Sequence, residues 1–452
     1  MKPGRLLLCL ILLVLAVAPA GTLANERDEE YYKYYDLFVR VLEEIQDKYY
    51  GDPPDLDKLF YGALEGMTSN LDAYSQFEPP DVHAQVEIDT TGKFGGLGME
   101  ITIDDATKYI RIVTPIEGTP AFRAGIRPDD LVVKIEGEST RGMSSGRAAS
   151  LMRGPRGTDV TISVLHKGER TPVDLTITRE IVELESIKGF ERNPDGGWKY
   201  MLDPPGGIGY IRVTQFQETT ARELKDKISE LLDEGMRGLV LDLRFNPGGL
   251  FSSAVQTSDL FLAEGKIVSI KGKRPEESKD FEAHKAGTFP EFPLAVLVNQ
   301  FSASASEIVA GALHDNKRGI VVGEQTFGKG KVQTLVPLEN GVSAIRLTTA
   351  EYLTPSGRSI ARPSHEVEEG EWGIQPDIEV RLSDDQLTEL LDHRRSLHIL
   401  QNLSPSPSAE VPADEEEEEE ARFVDIQLET AISAVKGALI YKDNLDIRQA
   451  ER

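Results

Sequence analysis

Hydrophobic positions change their spacing several times along the chain and divide it into segments. In the first such segment, apolar residues recur at three- and four-residue intervals, which predicts an amphipathic helix. These residues are Tyr35, Phe38, Val39, Leu42 and Ile45. A second helix is predicted from Leu56 to Met67. We therefore expect residues 25–85 to form an N-terminal helical segment.

Residues 86–182 have a different pattern, in which short apolar runs alternate with glycine and proline turns. The predicted strands are Met99–Ile103, Ile110–Val113, Leu131–Ile135, Val160–His166 and Val173–Thr178. Two short helices are predicted at 119–125 and 145–152. The pattern indicates a small β-domain of the size of a binding module.

Residues 183–385 have an α/β pattern. Gly238–Leu243, Leu294–Val298 and Gly319–Val322 are continuous apolar runs, which is typical of strands buried on both faces. The first two are followed by short polar or glycine-rich turns and then by helical patterns. This pattern predicts an α/β unit within the 452-residue chain.

The last segment begins with a helix and a low-complexity acidic linker, which together span residues 386–421. The linker contains Ser-Pro repeats and the run Asp414–Glu420, a composition that favours disorder. Residues 422–452 carry an amphipathic pattern, which predicts a C-terminal helix. The helices at the two ends of the chain favour a homodimer.

Residues 1–24 have the pattern of a secretory signal peptide. Lys2 and Arg5 precede the apolar run Leu6–Val17, and small-residue cleavage patterns end at Ala20 and Ala24. We expect an exported protein, in the periplasm or elsewhere outside the cytoplasm. The alternative is an uncleaved anchor, which would make the protein membrane-associated.

Composition excludes several classes of site. The only cysteine, Cys9, lies in the apolar run of the signal segment, so a cleaved chain has no disulfide, cysteine nucleophile or cysteine-bound metal. The net charge of −26 argues against nucleic acid as a partner. No His-Glu-x-x-His motif is present, and we expect neither metal nor cofactor.

One motif imitates a nucleotide site. Gly323–Lys329 matches most of a phosphate-binding loop. Gly330 stands where Ser or Thr would bind magnesium, and the following residues have a strand pattern where that loop requires a helix. We therefore expect no nucleotide.

A candidate nucleophile lies at a predicted strand-to-helix junction. A hydroxyl at Ser304 would stand at a helix N-terminus, where the amide of Ala305 is free to stabilise an oxyanion. The alternative is that Ser304 only caps the helix, because Ser304 and Glu307 match a capping box. Ser302 and Ser306 are equally eligible at this point.

A serine nucleophile needs a base. None of the seven histidines lies in a triad motif. Lys329 is a candidate, since a lysine can act as a base when burial keeps it neutral. It lies between Gly328 and Gly330 after a predicted buried strand, and these neighbours favour burial.

Two glycine-rich turns are candidate binding elements. Gly248 and Gly249, after the strand ending near Leu243, would let backbone amides approach a ligand closely and supply a second oxyanion donor. The alternative is an ordinary turn. A turn opens the predicted β-domain and would cradle a terminal carboxylate, with the adjoining strand edge pairing with a peptide. Its residues are Gly95, Gly96, Leu97, Gly98 and Met99.

These motifs together resemble the carboxyl-terminal processing, or tail-specific, serine proteases. The resemblance runs from about residue 30 to 385 and is most specific in Val298–Asp315 and Gly323–Gln333. The family implies an α/β multidomain fold: a crotonase-like ββα protease core at 183–385, an inserted PDZ β-sandwich-like domain at 86–182, and N- and C-terminal helices.

The resemblance also implies roles for single residues. It places the nucleophile on Ser304, the general base on Lys329 and the residue that orients the lysine on Gln333. The oxyanion donors would be the amide of Ala305 and one from Gly248 or Gly249. Apart from the resemblance, Arg153 follows a predicted helix of the PDZ segment and is a candidate regulatory cation that would pair with the protease core; the alternative is a solvated surface arginine.

The function implied is ATP-independent endoproteolysis of C-terminal segments by a Ser–Lys dyad. The expected substrates are proteins with accessible C-termini, which the PDZ domain would select. Apolar termini are expected because Leu97, Met99 and Ile101 would line the pocket. The alternatives are a catalytically silent PDZ scaffold or chaperone of the cell envelope, and a structural envelope protein.

Overall fold

The computed structural model describes residues 22–52, 54–193, 197–363, 372–397 and 423–450. The chain divides into two compact units, residues 1–77 and 78–452. Most of the predicted signal segment and the acidic linker lie outside the described residues. Within the described part of the chain, no helix combines the length and the apolar character needed to cross a membrane.

The first unit contains the two predicted helices. They are α1 (Thr22–Lys48) and α2 (Leu56–Thr68), and they are followed by the short strand β1 (Gln76–Glu78). Phe38 of α1 and Phe60 of α2 meet edge to face, with ring centroids 5.9 Å apart. The apolar spacing of the sequence therefore produces a helical hairpin held by aromatic contacts.

The second unit begins with a small β-domain whose predicted strands are confirmed. Its elements are α3 (Pro80–Thr91), β2 (Lys93–Gly96), β3 (Met99–Ile103), β4 (Ile110–Pro115), α4 (Pro120–Arg123), β5 (Leu131–Ile135), β6 (Glu138–Ser139), α5 (Ser145–Met152), β7 (Asp159–Leu165), β8 (Val173–Thr178) and β9 (Glu180–Glu183). The antiparallel sheet has the order β3-β4-β5-β7-β8, and β6 pairs with β5. Alternate residues such as Ile110 and Ile112 form its core.

The glycine-rich turn at the head of this domain differs from the prediction. Gly95 and Gly96 belong to β2, which pairs with β9, so only Leu97 and Gly98 form the turn. A Cβ at Gly95 would lie 2.1 Å from the carbonyl oxygen of Gly154. The close packing against Gly154 therefore explains why residue 95 is a glycine.

The larger part of the second unit is built on a mostly parallel sheet. Its elements are β10 (Ile187–Lys188), β11 (Glu191–Arg192), β12 (Trp198–Lys199), β13 (Met201–Asp203), β14 (Ile208–Val213), α6 (Thr220–Asp233), β15 (Gly238–Asp242), α7 (Phe251–Asp259), β16 (Lys266–Gly272), β17 (Lys279–Glu282), β18 (Leu294–Val298), α8 (Ala305–Asp315), β19 (Ile320–Gly323), β20 (Lys331–Leu338), β21 (Ser343–Leu353), β22 (Ile378–Glu379), α9 (Asp384–Ser396) and α10 (Ile426–Ala450). The sheet order is β10-β14-β15-β18-β19-β22, parallel from β14 to β22.

Both faces of this sheet are covered. On β15, Leu239 and Leu241 point into a core that includes residues of α6, α7 and α8. Val240 points to the opposite face and packs with Val435 and other residues of α10. Burial on both faces accounts for the continuous apolar runs in the sequence. The predicted C-terminal helix therefore completes the core.

The parallel order also locates the functional end of the sheet. In open parallel sheets, ligands bind beyond the carboxyl ends of the strands. Here β15, β18 and β19 end at Asp242, Val298 and Gly323, and all three candidate motifs follow these ends directly. The topology thus brings together segments that are far apart in the sequence.

Candidate active site

Asn246 fastens the first two of the three loops at this end of the sheet to each other. Its carbonyl oxygen accepts hydrogen bonds from Ala303 N (3.1 Å) and Ser306 Oγ (3.0 Å). Its side-chain amide donates to Val213 O at 2.9 Å. The third loop joins through Phe327 N, which donates to Ser302 O at 3.0 Å. The loops therefore form one packed layer.

The structure separates the three candidate serines. Ser302 and Ser306 are fully buried, and their hydroxyls donate to Leu243 O (2.9 Å) and Asn246 O (3.0 Å). Ser304 is partly exposed, and it forms the predicted capping box with Glu307 at the start of α8. A nucleophile must be accessible and must have a transferable proton, so the geometry favours Ser304.

Ser304 has an unusual backbone conformation, with φ 55° and ψ −111°. A positive φ is strained for a residue with a Cβ and is frequent at functional sites. Gly248 lies against it: a Cβ there would lie 2.8 Å from Ser304 Cβ and 3.0 Å from Ala305 N. Gly248 itself has φ 107°. Glycine at this position lets the loop approach the serine.

The fully buried carboxylate of Glu307 joins the serine and lysine segments. Its Oε2 accepts from Ser304 N and from Lys329 N, each at 2.8 Å. Its Oε1 accepts from Gly328 N (2.7 Å) and Thr326 Oγ1 (2.6 Å). Burial raises the pKa of Glu307, and these hydrogen bonds oppose that rise. The capping residue of the sequence motif therefore also links the backbone of Ser304 to that of Lys329.

Lys329 is partly buried, as its glycine neighbours indicate. Gly328 has φ 90°, and a Cβ at Gly330 would lie 2.5 Å from Ala361 N. Burial lowers the pKa of Lys329, the positive charge of Arg346 lowers it further, and Glu307 raises it. Arg346 is held by Glu78 at 2.5 Å. The environment therefore favours the neutral amine that a base requires.

Two of the three candidate oxyanion amides are available. Gly248 N donates to Asn246 Oδ1 at 2.9 Å, so this amide is occupied. The amides of Gly249 and Ala305 donate to no described residue. Gln333 lies partly buried on β20, opposite Thr348 of β21 and four residues after Lys329. Ser304, Lys329 and two amides without a partner among the described residues thus lie at one end of the sheet.

A family model matches this region. Residues 207–380, which carry all of these groups, match peptidase family S41, and residues 111–165 match a PDZ domain. A carboxy-terminal-processing protease of Bartonella bacilliformis is 38% identical over 369 residues, which cover 80% of this chain and 79% of that protein. This chain belongs to peptidase family S41.

Other S41 relatives have the same kind of name. A carboxyl-terminal-processing protease of Synechocystis is 35% identical, covering 74% of each chain. The carboxy-terminal processing protease CtpA of Bacillus subtilis is 36% identical, covering 77% of this chain and 70% of that one. A solved photosystem II D1 C-terminal processing protease is 31% identical, with a TM-score of 0.40, over 75% of this chain and 86% of that chain. The chain is thus a serine-type peptidase with a PDZ domain.

The PDZ domain of this S41 peptidase keeps two amides free at its head. The N–H groups of Leu97 and Gly98 donate to no described residue. Gly98 has φ 78°, and a Cβ there would lie 2.4 Å from Thr119 Cβ. Leu97 is 2% exposed and belongs to the PDZ core. Met99 begins β3 beside this turn.

Arg153 has a different partner from the predicted one. Its Nη1 donates to Gln85 Oε1 on α3 at 2.7 Å, and its guanidinium stacks on Phe94, 5.2 Å from the ring centroid. Burial lowers the pKa of Arg153, whereas Asp89 raises it. Arg153 therefore ties the end of α5 to α3 and β2, and no ion pair joins it to the described residues of 183–385.

A buried ion-pair cluster supports the glycine turn of the S41 core. Arg244 donates to both oxygens of Asp242 and, through Nη1 and Nη2, to Asp425 at 2.9 and 2.8 Å. Arg394 adds a hydrogen bond to Asp242 at 2.7 Å. Burial alone would raise the pKa of Asp242, but the two guanidinium groups hold it well below its usual range. The cluster fixes the backbone directly before Asn246.

Sequence reasoning missed four residues of this arrangement as site residues. Glu307 was visible as a capping partner, and Asn246 stood in the turn motif. No sequence motif marks Arg346 or Asp425, because the residues that they influence, Lys329 and Arg244, lie far away in the sequence.

Proposed function

We propose that this S41 peptidase removes C-terminal segments of proteins with a Ser304–Lys329 dyad. The observation that supports the proposal most directly is that both backbone amides bind the same Glu307 oxygen. The hydroxyl of Ser304 would attack the scissile carbonyl while neutral Lys329 accepts its proton. The protonated amine would then return that proton to the leaving nitrogen, and water would hydrolyse the acyl-enzyme.

The oxyanion would be stabilised by the amides of Ala305 and Gly249. Both donate to no described group, whereas Gly248 N already donates to Asn246 Oδ1. Donors that are fixed before reaction contribute most to stabilising the developing charge. Gln333 would orient the Lys329 amine, as the family resemblance implies.

Substrate selection would begin at the PDZ domain. The free amides of Leu97 and Gly98 suit a terminal carboxylate, and β3 lies at the edge of its sheet, so it can pair with an extended peptide. The chain would act without ATP on loose or unfolded tails. An apolar last residue would be favoured, because a charged one would lose its hydration without gaining a partner.

Three further expectations stay with this proposal. We propose export through the signal segment and a crotonase-like ββα core with an inserted PDZ domain. We also propose a homodimer through the terminal helices. Large hydrophobic side chains of α1 are exposed in the single chain, including Tyr31 (62%), Tyr32 (71%) and Leu37 (57%). A second copy would cover them.

The dyad is tested with an unstructured peptide incubated with the full-length protein and analysed by mass spectrometry. Ser304→Ala and Lys329→Ala should each lower turnover by several orders of magnitude while the fold is retained. Lys331→Ala is the matched control, because Lys331 pairs with Glu351 on the neighbouring strand. Turnover by folded Lys329→Ala at the rate of Lys331→Ala would exclude the lysine base.

The competing function is a silent PDZ scaffold. It predicts peptide binding by the wild type without cleavage and the same binding by Ser304→Ala. The accessible Ser304 hydroxyl and the free amides beside it favour the peptidase.

A further inference from the structure

A cavity of about 230 Å³ lies where the outer face of the PDZ sheet meets the peptidase core. Its PDZ side is formed by Glu100 of β3 and Val113 of β4. Its core side carries four guanidinium groups, which belong to Arg212, Arg244, Arg394 and Arg395. The lining therefore combines four cationic side chains with one carboxylate.

Three of the four arginines have carboxylate partners outside the cavity. Arg244 binds Asp242 and Asp425, and Arg394 binds Asp242. Arg395, whose side chain is 76% exposed, binds Asp392 at 3.0 Å. Their charges are therefore already balanced within the protein.

Arg212 is the exception. It is 5% exposed, and its Nε and Nη2 atoms have no hydrogen-bond partner among the described residues. The strand register places Asp242 directly beside it. Both oxygens of Asp242 are taken by Arg244, and Oδ2 also accepts from Arg394 and Tyr210. A buried guanidinium with two unsatisfied donors is costly to the fold.

We propose that this cavity binds a small oxyanion, a carboxylate or a phosphate, through Arg212. A guanidinium presents two parallel N–H donors to two oxygens, the geometry that these anions accept best. Lys188, opposite Arg212 on β10, adds positive charge nearby. Burial together with repulsion from Arg212 lowers the pKa of Lys188 to about 8.

The site would connect the PDZ domain to the catalytic loops. Phe245, which has φ 62°, also lines the cavity and directly precedes Asn246. A neighbouring groove of about 490 Å³ shares Glu100 and Thr214 with the cavity and reaches Met99. A bound anion would therefore contact the segment leading into the active site and the strand of the PDZ domain. This inference does not rest on the Ser–Lys dyad.

The test is a titration of the full-length protein with sodium phosphate and with sodium acetate at constant ionic strength, balanced by sodium chloride. Calorimetry and the unfolding temperature should both show saturable binding to one site. Arg212→Gln should weaken binding at least tenfold. Arg381→Gln, which removes an exposed arginine that pairs with Glu379 outside the cavity, should stay within twofold of the wild type. A rise in unfolding temperature no larger than chloride gives would exclude a free phosphate or acetate as the ligand.

Glu100→Gln keeps the test decisive should Arg212→Gln fail to fold. Removing the one described carboxylate in the lining should tighten anion binding about fivefold, because a like charge is lost at close range. Unchanged affinity in Glu100→Gln would contradict the location.

A third experiment compares the binding of a peptide that has a free C-terminus with the binding of the same peptide amidated at its C-terminus. Arg212-dependent binding of phosphate or acetate identifies a free anion as the ligand. Arg212-dependent binding of the free-terminus peptide alone identifies a polypeptide carboxylate. Either result supports an oxyanion site. If neither the small anions nor the peptide bind, the proposal is refuted.

Discussion

The backbone amides of Ser304 and Lys329 donate to one oxygen atom, Glu307 Oε2, at 2.8 Å each. One residue begins a helix and the other ends a loop before a strand, so neither element alone fixes their separation. A buried acceptor shared by both amides does fix it. The relative position of the proposed nucleophile and base therefore depends on a third, unreactive side chain.

Glu307→Gln should lower kcat by about 100-fold, because small displacements of reacting groups are costly. The substitution preserves shape, but an amide has one acceptor oxygen where the carboxylate accepts from four donors. Backbone N–H groups would then face a side-chain NH2 group. Peptide-cleavage kinetics give kcat, and circular dichroism establishes whether the variant is folded.

A functional Glu307→Gln variant would contradict the positioning role. A lower unfolding temperature with an unchanged kcat of the folded protein would mean that Glu307 contributes only to stability. Glu324→Gln is the matched control. Its carboxylate accepts only from Leu382 N among the described contacts, at 2.9 Å.

The pH profile should follow the titration of Lys329. Burial lowers its pKa below the ordinary 10.5, and Arg346 lowers it further. Because the base must be neutral, the rate should rise with pH and level off above the lowered pKa. Arg346→Gln removes a like charge, so the pKa should rise and the ascending limb should move to higher pH, by about half a unit.

Lys271→Gln is the control for the Arg346 experiment, because it removes a positive charge from an exposed position of β16. Its pH profile should match that of the wild type. A displacement of the Arg346→Gln profile to lower pH, or an equal displacement in both variants, would contradict the electrostatic assignment.

Elements with a strong local pattern were predicted almost to the residue. Met99–Ile103, Leu131–Ile135 and Leu294–Val298 have the predicted bounds. The strand β16 (Lys266–Gly272) was missed, because its polar residues interrupt the alternation and β17 and β21 on its two sides decide its structure. Local periodicity carries no information about such pairing.

The candidate site also has some features that the local sequence predicts and others that it does not. Ser304 and Lys329 stand in recognisable motifs, so the sequence indicated both. Gly248 N donates to Asn246 Oδ1, a contact that depends on the geometry of the turn. The sequence alone therefore does not decide whether Gly248 or Gly249 offers the oxyanion donor. The contact between Arg244 and Asp425 joins residues 181 positions apart, on either side of the acidic segment.

Asp425→Asn should destabilise the second unit by about 1–3 kcal/mol, since charged hydrogen bonds to a buried guanidinium are lost. Arg244 keeps Asp242 as a partner, which limits the loss. Asp443→Asn is the matched control, because Asp443 and Arg237 are both 50% exposed. It should cost about 0–1 kcal/mol. Denaturant unfolding of the two variants decides this, and equal destabilisation would show that the buried pair has no special role.

The choice of substrate should depend on the chemistry of the last residue. One peptide is compared with a free, an amidated and a Lys-extended C-terminus. The free form should be cleaved best, because the amide N–H groups of Leu97 and Gly98 can donate to a carboxylate but would face another donor in the amidated peptide. The Lys-extended form keeps the carboxylate but would bury an unpaired ammonium beside Met99 and Ile101, so its KM should rise more than its kcat falls. Equal kcat/KM for the three peptides would refute carboxylate capture. If only the amidated peptide is cleaved poorly, the carboxylate site is supported and the apolar pocket is rejected.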